Sequence, residues 1–253
     1  MSGDETVIQA EQAEPVKPPK AVVAICIPCG DEVKTFFAYD LARMMAWTAL
    51  NLSDVIDLKI IMAKGSLIPR QRENLVDTVL AHESITHILF LDSDMRFPKN
   101  LIPRMLNHHA PAVCANYTER GEPFRPVAFT DSKDYGMRAY TTAQSPATQR
   151  IAAIGFGVIL LRTDMIREKL SKPYFMVGYN PQIQPSGKPG GHMGEDVYFC
   201  LKLEEAGVPL ILDHEISKEI AHLGEFAYMA PHAEQYLAQH PELGQQSRII
   251  TLA

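Results

Sequence analysis

Two aspartates, Asp92 and Asp94, stand two residues apart at the end of the apolar run His87-Ile-Leu-Phe-Leu91. Such a run reads as a buried strand, and open α/β sheets bind ligands beyond the carboxyl ends of their strands. Carboxylates leaving a strand at that spacing can converge on a hard cation. Oxygen ligands suit Mg2+ or Mn2+, and such an ion neutralises a diphosphate. A second acidic pair, Glu195-Asp196, follows the Gly-rich stretch Ser186-Gly-Lys-Pro-Gly-Gly-His-Met-Gly194 and opens a helical pattern. The helix dipole favours acids there, and a carboxylate beside a lid also suits a general base. His222, in Ile220-Ala-His-Leu-Gly224, can complete a metal site begun by distant carboxylates. Lys188 and His192 can touch a diphosphate when the Gly-rich loop closes. Tyr174, Phe175 and Tyr179, which precede that loop, can stack on sugars or bases, or simply pack it.

The elements that must position these groups alternate along the chain. Apolar runs at 21–27, 58–62, 86–91 and 112–115 read as strands, with helical spacing at 35–50, 69–82 and 98–107 between them. Thr35 is placed to cap the first helix, Pro69 suits the first turn of the second, and Pro103 weakens or shortens the third. This alternation predicts a parallel sheet with helices on both faces. Segments 127–130, 138–142 and 151–161 read as strands without helices between them, an antiparallel or mixed extension. Next come a helix at 163–170 capped by Thr163, a long loop at 171–194, a helix at 195–206 stopped by Gly207, and a strand at 208–212. The last thirty residues read as helical or irregular wrapping.

Charge and composition narrow the function class. The chain has 253 residues, a net charge of −6 and 46% hydrophobic residues, an ordinary globular balance. No apolar stretch is long enough to span a membrane, and the polar start does not read as a secretory signal, so a soluble cytoplasmic enzyme is expected. Residues 1–20 read as a disordered tail; the remaining residues carry −4, which weakens the electrostatic case against a nucleic-acid partner. Cys26-Ile-Pro-Cys29 has redox spacing, but it straddles the end of a strand and has no second pair to close a zinc site.

Taken in order, Ile27-Pro28, Arg70-Gln-Arg-Glu-Asn74, Phe90-Leu-Asp-Ser-Asp94, Gly155-Phe-Gly157, Gly194-Glu-Asp196 and His222-Leu-Gly224 resemble the GT-A glycosyltransferases. The likeness is to bacterial and phage members of the family-2-like group and spans about residues 21–224. It implies a Rossmann-like, mostly parallel central sheet flanked by helices, with a smaller mixed extension. Within one domain at 21–253, it implies a nucleotide-sugar half at about 21–116, an acceptor half at about 117–225 and a wrapping segment at 226–253. The implied activity is metal-dependent transfer of a sugar from a nucleotide-sugar donor, UDP-linked in preference to GDP-linked, to an acceptor hydroxyl. The acceptor stays open among carbohydrate, protein and modified nucleic acid. By the same resemblance, Pro28, Cys29, Gly30 and Asp31 line the base and ribose, and Arg70, Arg72 and Asn74 sit near the phosphates. Asp92, with Ser93 beside it, faces the ribose or donor sugar and joins Asp94 and His222 around Mn2+ or Mg2+. Gly155 and Gly157 form a wall beside the substrates. Asp196 is the base of an inverting reaction, and Glu195 orients hydroxyls. The rival enzyme class is a sugar nucleotidyltransferase. Against it, Pro28-Cys-Gly-Asp31 stands where such enzymes carry a basic Gly-rich run. A catalytically degenerate GT-A binding module is the non-enzyme alternative.

Overall fold

A computed structural model describes residues 20–131, 137–179 and 191–246. In chain order, the first half runs β1 (Ala21–Cys29), α1 (Thr35–Leu52), β2 (Ile56–Lys64), α2 (Ile68–Leu80), β3 (His87–Leu91), β4 (Met95–Arg96), α3 (Leu101–Leu106) and β5 (Ala112–Cys114). After a long connection come β6 (Thr148–Ile151), β7 (Val158–Arg162), α4 (Thr163–Lys169), β8 (Gly178–Tyr179), β9 (His192–Met193) and α5 (Glu195–Glu205). The chain closes with β10 (Leu210–Asp213), α6 (His214–Ser217), β11 (Ala221–Leu223), β12 (Ala227–Met229), α7 (Ala230–Gln239) and a 3-10 turn, Pro241–Gln246.

Seven strands form the central sheet in the order β2-β1-β3-β7-β5-β10-β6. Only β7 and β6 run against the other strands, so the sheet is mostly parallel. A small antiparallel sheet, β12-β11-β4, stands beside it, and β8 pairs with β9. Alternate residues of β1 and β3 feed two separate cores, as the period of a strand requires. Ala24, Cys26, Ile88 and Phe90 pack with Leu75, Val76 and Val79 of α2 and with α4 and α5. Val23, Ile25, Leu89 and Leu91 pack with Phe37 and Met44 of α1 and with α3 and α6. Cys26 is therefore core, and the Cys29 thiol donates to the Ala63 carbonyl rather than to a redox partner.

The expected alternation of strands and helices stands through β5; several later expectations need correction. The run 151–161 is two strands, not one. Its middle is a corner at 154–157, so β6 lies at the sheet edge and β7 lies between β3 and β5. Segments 127–130 and 138–142 form only isolated bridges, Phe129 with Arg138 and with Ala153. The strand expected at 208–212 is Leu210–Asp213, and part of the wrapping segment forms β12 before α7. Thr35 and Thr163 are not caps: Lys34 and Arg162 hold those positions, and Thr163 Oγ1 donates to the Ile85 carbonyl instead. The third helix begins only at Leu101, which puts Pro103 in its first turn, where a missing N–H costs no hydrogen bond. Gly207, at φ +67°, ends the segment after α5 as expected of glycine in the left-handed region.

Candidate active site

A cleft of about 360 Å³ opens at the carboxyl end of β3, and most of the chemistry-bearing residues line it. The turn after β3 is held on three sides. Asp92 N donates to the Gly157 carbonyl, Lys34 N to the Ser93 carbonyl, and Leu223 N to the Asp94 carbonyl. The last of these ties the turn to β11 and brings His222 beside Asp94, although they are distant in sequence.

Arg72 is the hub of one half of the cleft. It lies on the buried face of α2 with Gln71, Leu75, Val76 and Val79. Its Nη1 donates to Glu195 Oε1 at 2.5 Å, and its Nη2 to Asp92 Oδ1 at 2.9 Å. The guanidinium also stands 5.4 Å from the centre of the Phe156 ring. Burial works against its charge, but Asp92, Glu195 and Asp196 outweigh that and keep it protonated. Arg70 and Asn74, on the same helix, face solvent, so the helical period selects Arg72. Gln71 fastens the ends of β1 and β2, donating to the Cys29 and Ala63 carbonyls at 2.6 and 2.7 Å.

Asp196 sits in the first turn of α5 and its Oδ1 accepts from Val197 N at 2.8 Å. Burial, partly countered by Arg72 and reinforced by Glu195, pushes its carboxyl up to about 6. Gly194 leaves room for this carboxylate, since a Cβ at that position would meet Asp196 Oδ1 at 2.6 Å. Tyr117 closes the wall. Its hydroxyl accepts from Gly157 N at 3.2 Å, and a Cβ on Gly157 would meet its ring at 2.8 Å. A Cβ on Gly155 would come closer still to the same hydroxyl. Burial, then the charges of Asp92 and Asp196, hold the Tyr117 phenol well above its usual range, so it stays protonated.

Asp94 and His222 form the other half. His222 Nε2 lies 3.4 Å from Asp94 Oδ2, and its Nδ1 lies 3.1 Å from the Thr118 carbonyl. A carbonyl only accepts, so Nδ1 carries a proton; Nε2 donates to Asp94 when it is protonated and can ligate a metal when it is not. Arg120 Nη1 approaches the same Oδ2 at 3.3 Å. Burial alone would raise the Asp94 carboxyl, but the hydrogen bond and charge of His222, with Arg120, lower it below the ordinary value. A carboxylate and an imidazole whose second nitrogen is anchored are a fitting donor pair for Mn2+ or Mg2+. Among the described residues, no three His, Cys, Asp or Glu side chains gather as a metal-binding group. The expected trio of Asp92, Asp94 and His222 is thus a pair, because Asp92 is turned to Arg72.

Other expected residues lie at the rim or elsewhere. Pro28 lines the cleft, Cys29 is buried, and Gly30 and Asp31 are exposed, with Asp31 paired to Lys64. His192 is exposed on β9 and packs against Tyr179 rather than lining the cleft. Lys188 and most of the Gly-rich lid lie outside the described residues. Phe175 packs against Phe90, Phe156 and Phe199, so it belongs to the core and not to a stacking surface. Tyr117, Arg120 and the Gln71 clamp were missed from sequence. The helical period around Arg72 could have found Gln71; nothing in the sequence marks Arg120.

No protein-family model matches the chain, and no curated protein matches it. Solved structures do match. The structure of A197 from STIV aligns at a TM-score of 0.51 and 15% identity, over 80% of this chain and 85% of that one. Drosophila beta-1,4-galactosyltransferase 7, a mutant solved with manganese, UDP-Gal and xylobiose, aligns at 0.44 and 14% identity, over 81% of this chain and 71% of that one. GalNAc-T7, solved with UDP, GalNAc and Mn2+, aligns at 0.43 and 9% identity, over 87% of this chain and 48% of that one. The likeness to A197 shows a shared fold, a mostly parallel central sheet flanked by helices with small antiparallel sheets beside it.

Proposed function

We propose that the cleft transfers a sugar from a nucleotide-sugar donor, UDP-linked in preference to GDP-linked, to an acceptor hydroxyl. One observation carries this reading. Asp92, Glu195 and Asp196 meet around Arg72, and Asp94 meets His222, in a single cleft where the strands of the sheet end.

Asp94 and His222 would hold Mn2+ or Mg2+, leaving positions for phosphate oxygens and water. Such an ion offsets the charge that builds on the departing nucleoside diphosphate. The protein's own residues supply the rest. Arg72 offsets part of the charge of Asp92 and Glu195 and holds them in place, Asp92 toward the ribose or donor sugar and Glu195 toward hydroxyls. Pro28 and Ile68 give the nucleotide end of the cleft an apolar side. Tyr117, packed on Gly155 and Gly157, shapes the opposite wall and excludes water from it. Asp196 takes the proton of the acceptor hydroxyl. A carboxyl at about 6 is mostly ionised at neutral pH and still basic enough to accept a proton in the transition state. With Asp196 as base for the acceptor and no side chain acting as nucleophile, the reaction is a single displacement with inversion, by the logic of inverting glycosidases.

The test is nucleoside diphosphate release from a panel of UDP- and GDP-sugars with Mn2+, water standing in for the acceptor. The wild-type protein is expected to hydrolyse at least one donor and Asp196→Asn to hydrolyse it at least about a hundredfold more slowly. Release from no donor, or equal release by Asp196→Asn, removes the reading.

A further inference from the structure

Arg120 is the cleft residue whose role the preceding account leaves open. Its Nη1 stands 3.3 Å from Asp94 Oδ2, the oxygen that His222 Nε2 approaches at 3.4 Å. The stem of Arg120 lies over Gly224, where a Cβ would come within 2.9 Å of its Cδ. Glycine at 224 therefore lets the guanidinium reach the carboxylate. Arg120 differs from Arg72 in two ways. Its side chain is 49% exposed, against 5% for Arg72, and it holds one carboxylate where Arg72 holds two. Arg72 is a fixed strut; Arg120 is free to leave.

Asp94 Oδ2 is thus claimed twice, by the guanidinium and by the divalent cation of the proposed reaction. A divalent ion and a guanidinium on one carboxylate oxygen repel each other, which favours exchange of one for the other. Once released, the guanidinium stays tethered in the cleft, with planar N–H donors that match phosphate oxygens in pairs. We propose that Arg120 is an exchangeable counter-cation: it neutralises Asp94 until a divalent ion takes that carboxylate, and then binds the diphosphate of the donor. This rests on the reading of Asp94 as a metal ligand. Binding of metal and of nucleotide is therefore coupled through one side chain, and Asp94 has a counter-charge before the metal binds.

The experiment measures free Mn2+ by its paramagnetic resonance signal and UDP binding by titration calorimetry. It uses the full chain as wild type, Arg120→Ala, Arg120→Lys and Asp94→Asn. Without nucleotide, Arg120→Ala is expected to bind Mn2+ about fivefold more tightly, since a partly exposed competing ion pair is removed. In saturating Mn2+, it is expected to bind UDP about tenfold more weakly, having lost a charged phosphate contact. Arg120→Lys keeps the charge and guards against a folding defect; it should restore wild-type Mn2+ affinity and only part of the UDP affinity. If Asp94→Asn lowers Mn2+ affinity while Arg120→Ala leaves it unchanged, the exchange is refuted and the metal site stands. If Asp94→Asn binds Mn2+ as well as wild type, the metal reading fails and the exchange fails with it.

Discussion

The two ends of the central sheet carry cavities of very different character. The larger, about 540 Å³, lies at the start of β3 and is bordered by His87, Arg162, Asp164 and Arg167. The smaller, about 360 Å³, lies at the carboxyl end and holds Arg72, Asp92, Asp94, Glu195, Asp196 and His222. At the larger cavity, the ion pair is local in sequence and the other arginine meets neutral carbonyls. Arg162 pairs with Asp164 two residues on, and Arg167 donates to the Leu80 and His82 carbonyls. His87 is pushed down to about 4 by burial and then by Arg162, so it is neutral at physiological pH. At the smaller one, every pairing joins distant parts of the chain: Arg72 with Glu195 and Asp92, Asp94 with His222 and Arg120. Volume does not locate the chemistry. Carboxylates that the fold drives together, at the cost of their own hydration, do.

Substitutions at the two ends should therefore differ sharply in effect. The largest falls on Asp196. Asp196→Asn is expected to lower turnover by about 10²–10⁴ while keeping nucleotide affinity, measured by product release and calorimetry. Next is Arg72→Met, which leaves Asp92 and Glu195 facing each other without a counter-charge. It should cost about 3–5 kcal/mol in denaturant unfolding, and Arg72→Lys should recover only part, since an ammonium cannot span both carboxylates. Gly157→Ala forces a methyl against Tyr117 and should cost about 1–3 kcal/mol, with weakened nucleotide binding.

A subtler effect is the pH dependence. Folding raises the Asp196 carboxyl from 3.8 to about 6. The folded state therefore holds this proton more tightly, and the stability it contributes is fully present below pH 3.8 and is lost as pH rises through 6. Asp196→Asn should accordingly be more stable than wild type at pH 7.5, by about 2–3 kcal/mol, and little different near pH 4. Thermal unfolding at both values checks this. Donor turnover should rise along the same limb, with an apparent midpoint near 6. The smallest effect is expected at the other cavity. Arg162→Ala breaks an exposed pair, should change stability by about 0–1 kcal/mol, and should leave UDP binding untouched. A loss of UDP affinity there would erase the contrast between the two ends.

Most of the first half of the fold was legible because apolar runs and helical spacing alternate there without interruption. The corner at 154–157 was not, because what breaks the run 151–161 is a long-range contact. Gly155 and Gly157 make room for Tyr117, and Gly157 accepts from Asp92 N. Apolar content alone continues through such a corner. Asp92, Asp94, Glu195, Asp196 and His222 were all legible as chemistry, and the fold brings them to one cleft. Their pairings were not. That Asp92 answers to Arg72, and not to a shared ion, depends on which face of α2 is buried. Spacing with Leu75, Val76 and Val79 contains that information once the helix is drawn. Arg120 stands in a loop with no periodic pattern, so only the structure reveals its reach to Asp94.

In the proposed function Asp94 and His222 hold a divalent cation for a nucleoside diphosphate. The decisive measurement is calorimetric titration of UDP into the wild-type protein, with Mn2+ and then with a chelator. Saturable binding with Mn2+ is expected, with loss of binding in the chelator and loss in Asp94→Asn under both conditions. Equal UDP affinity with and without the metal would overturn the assignment.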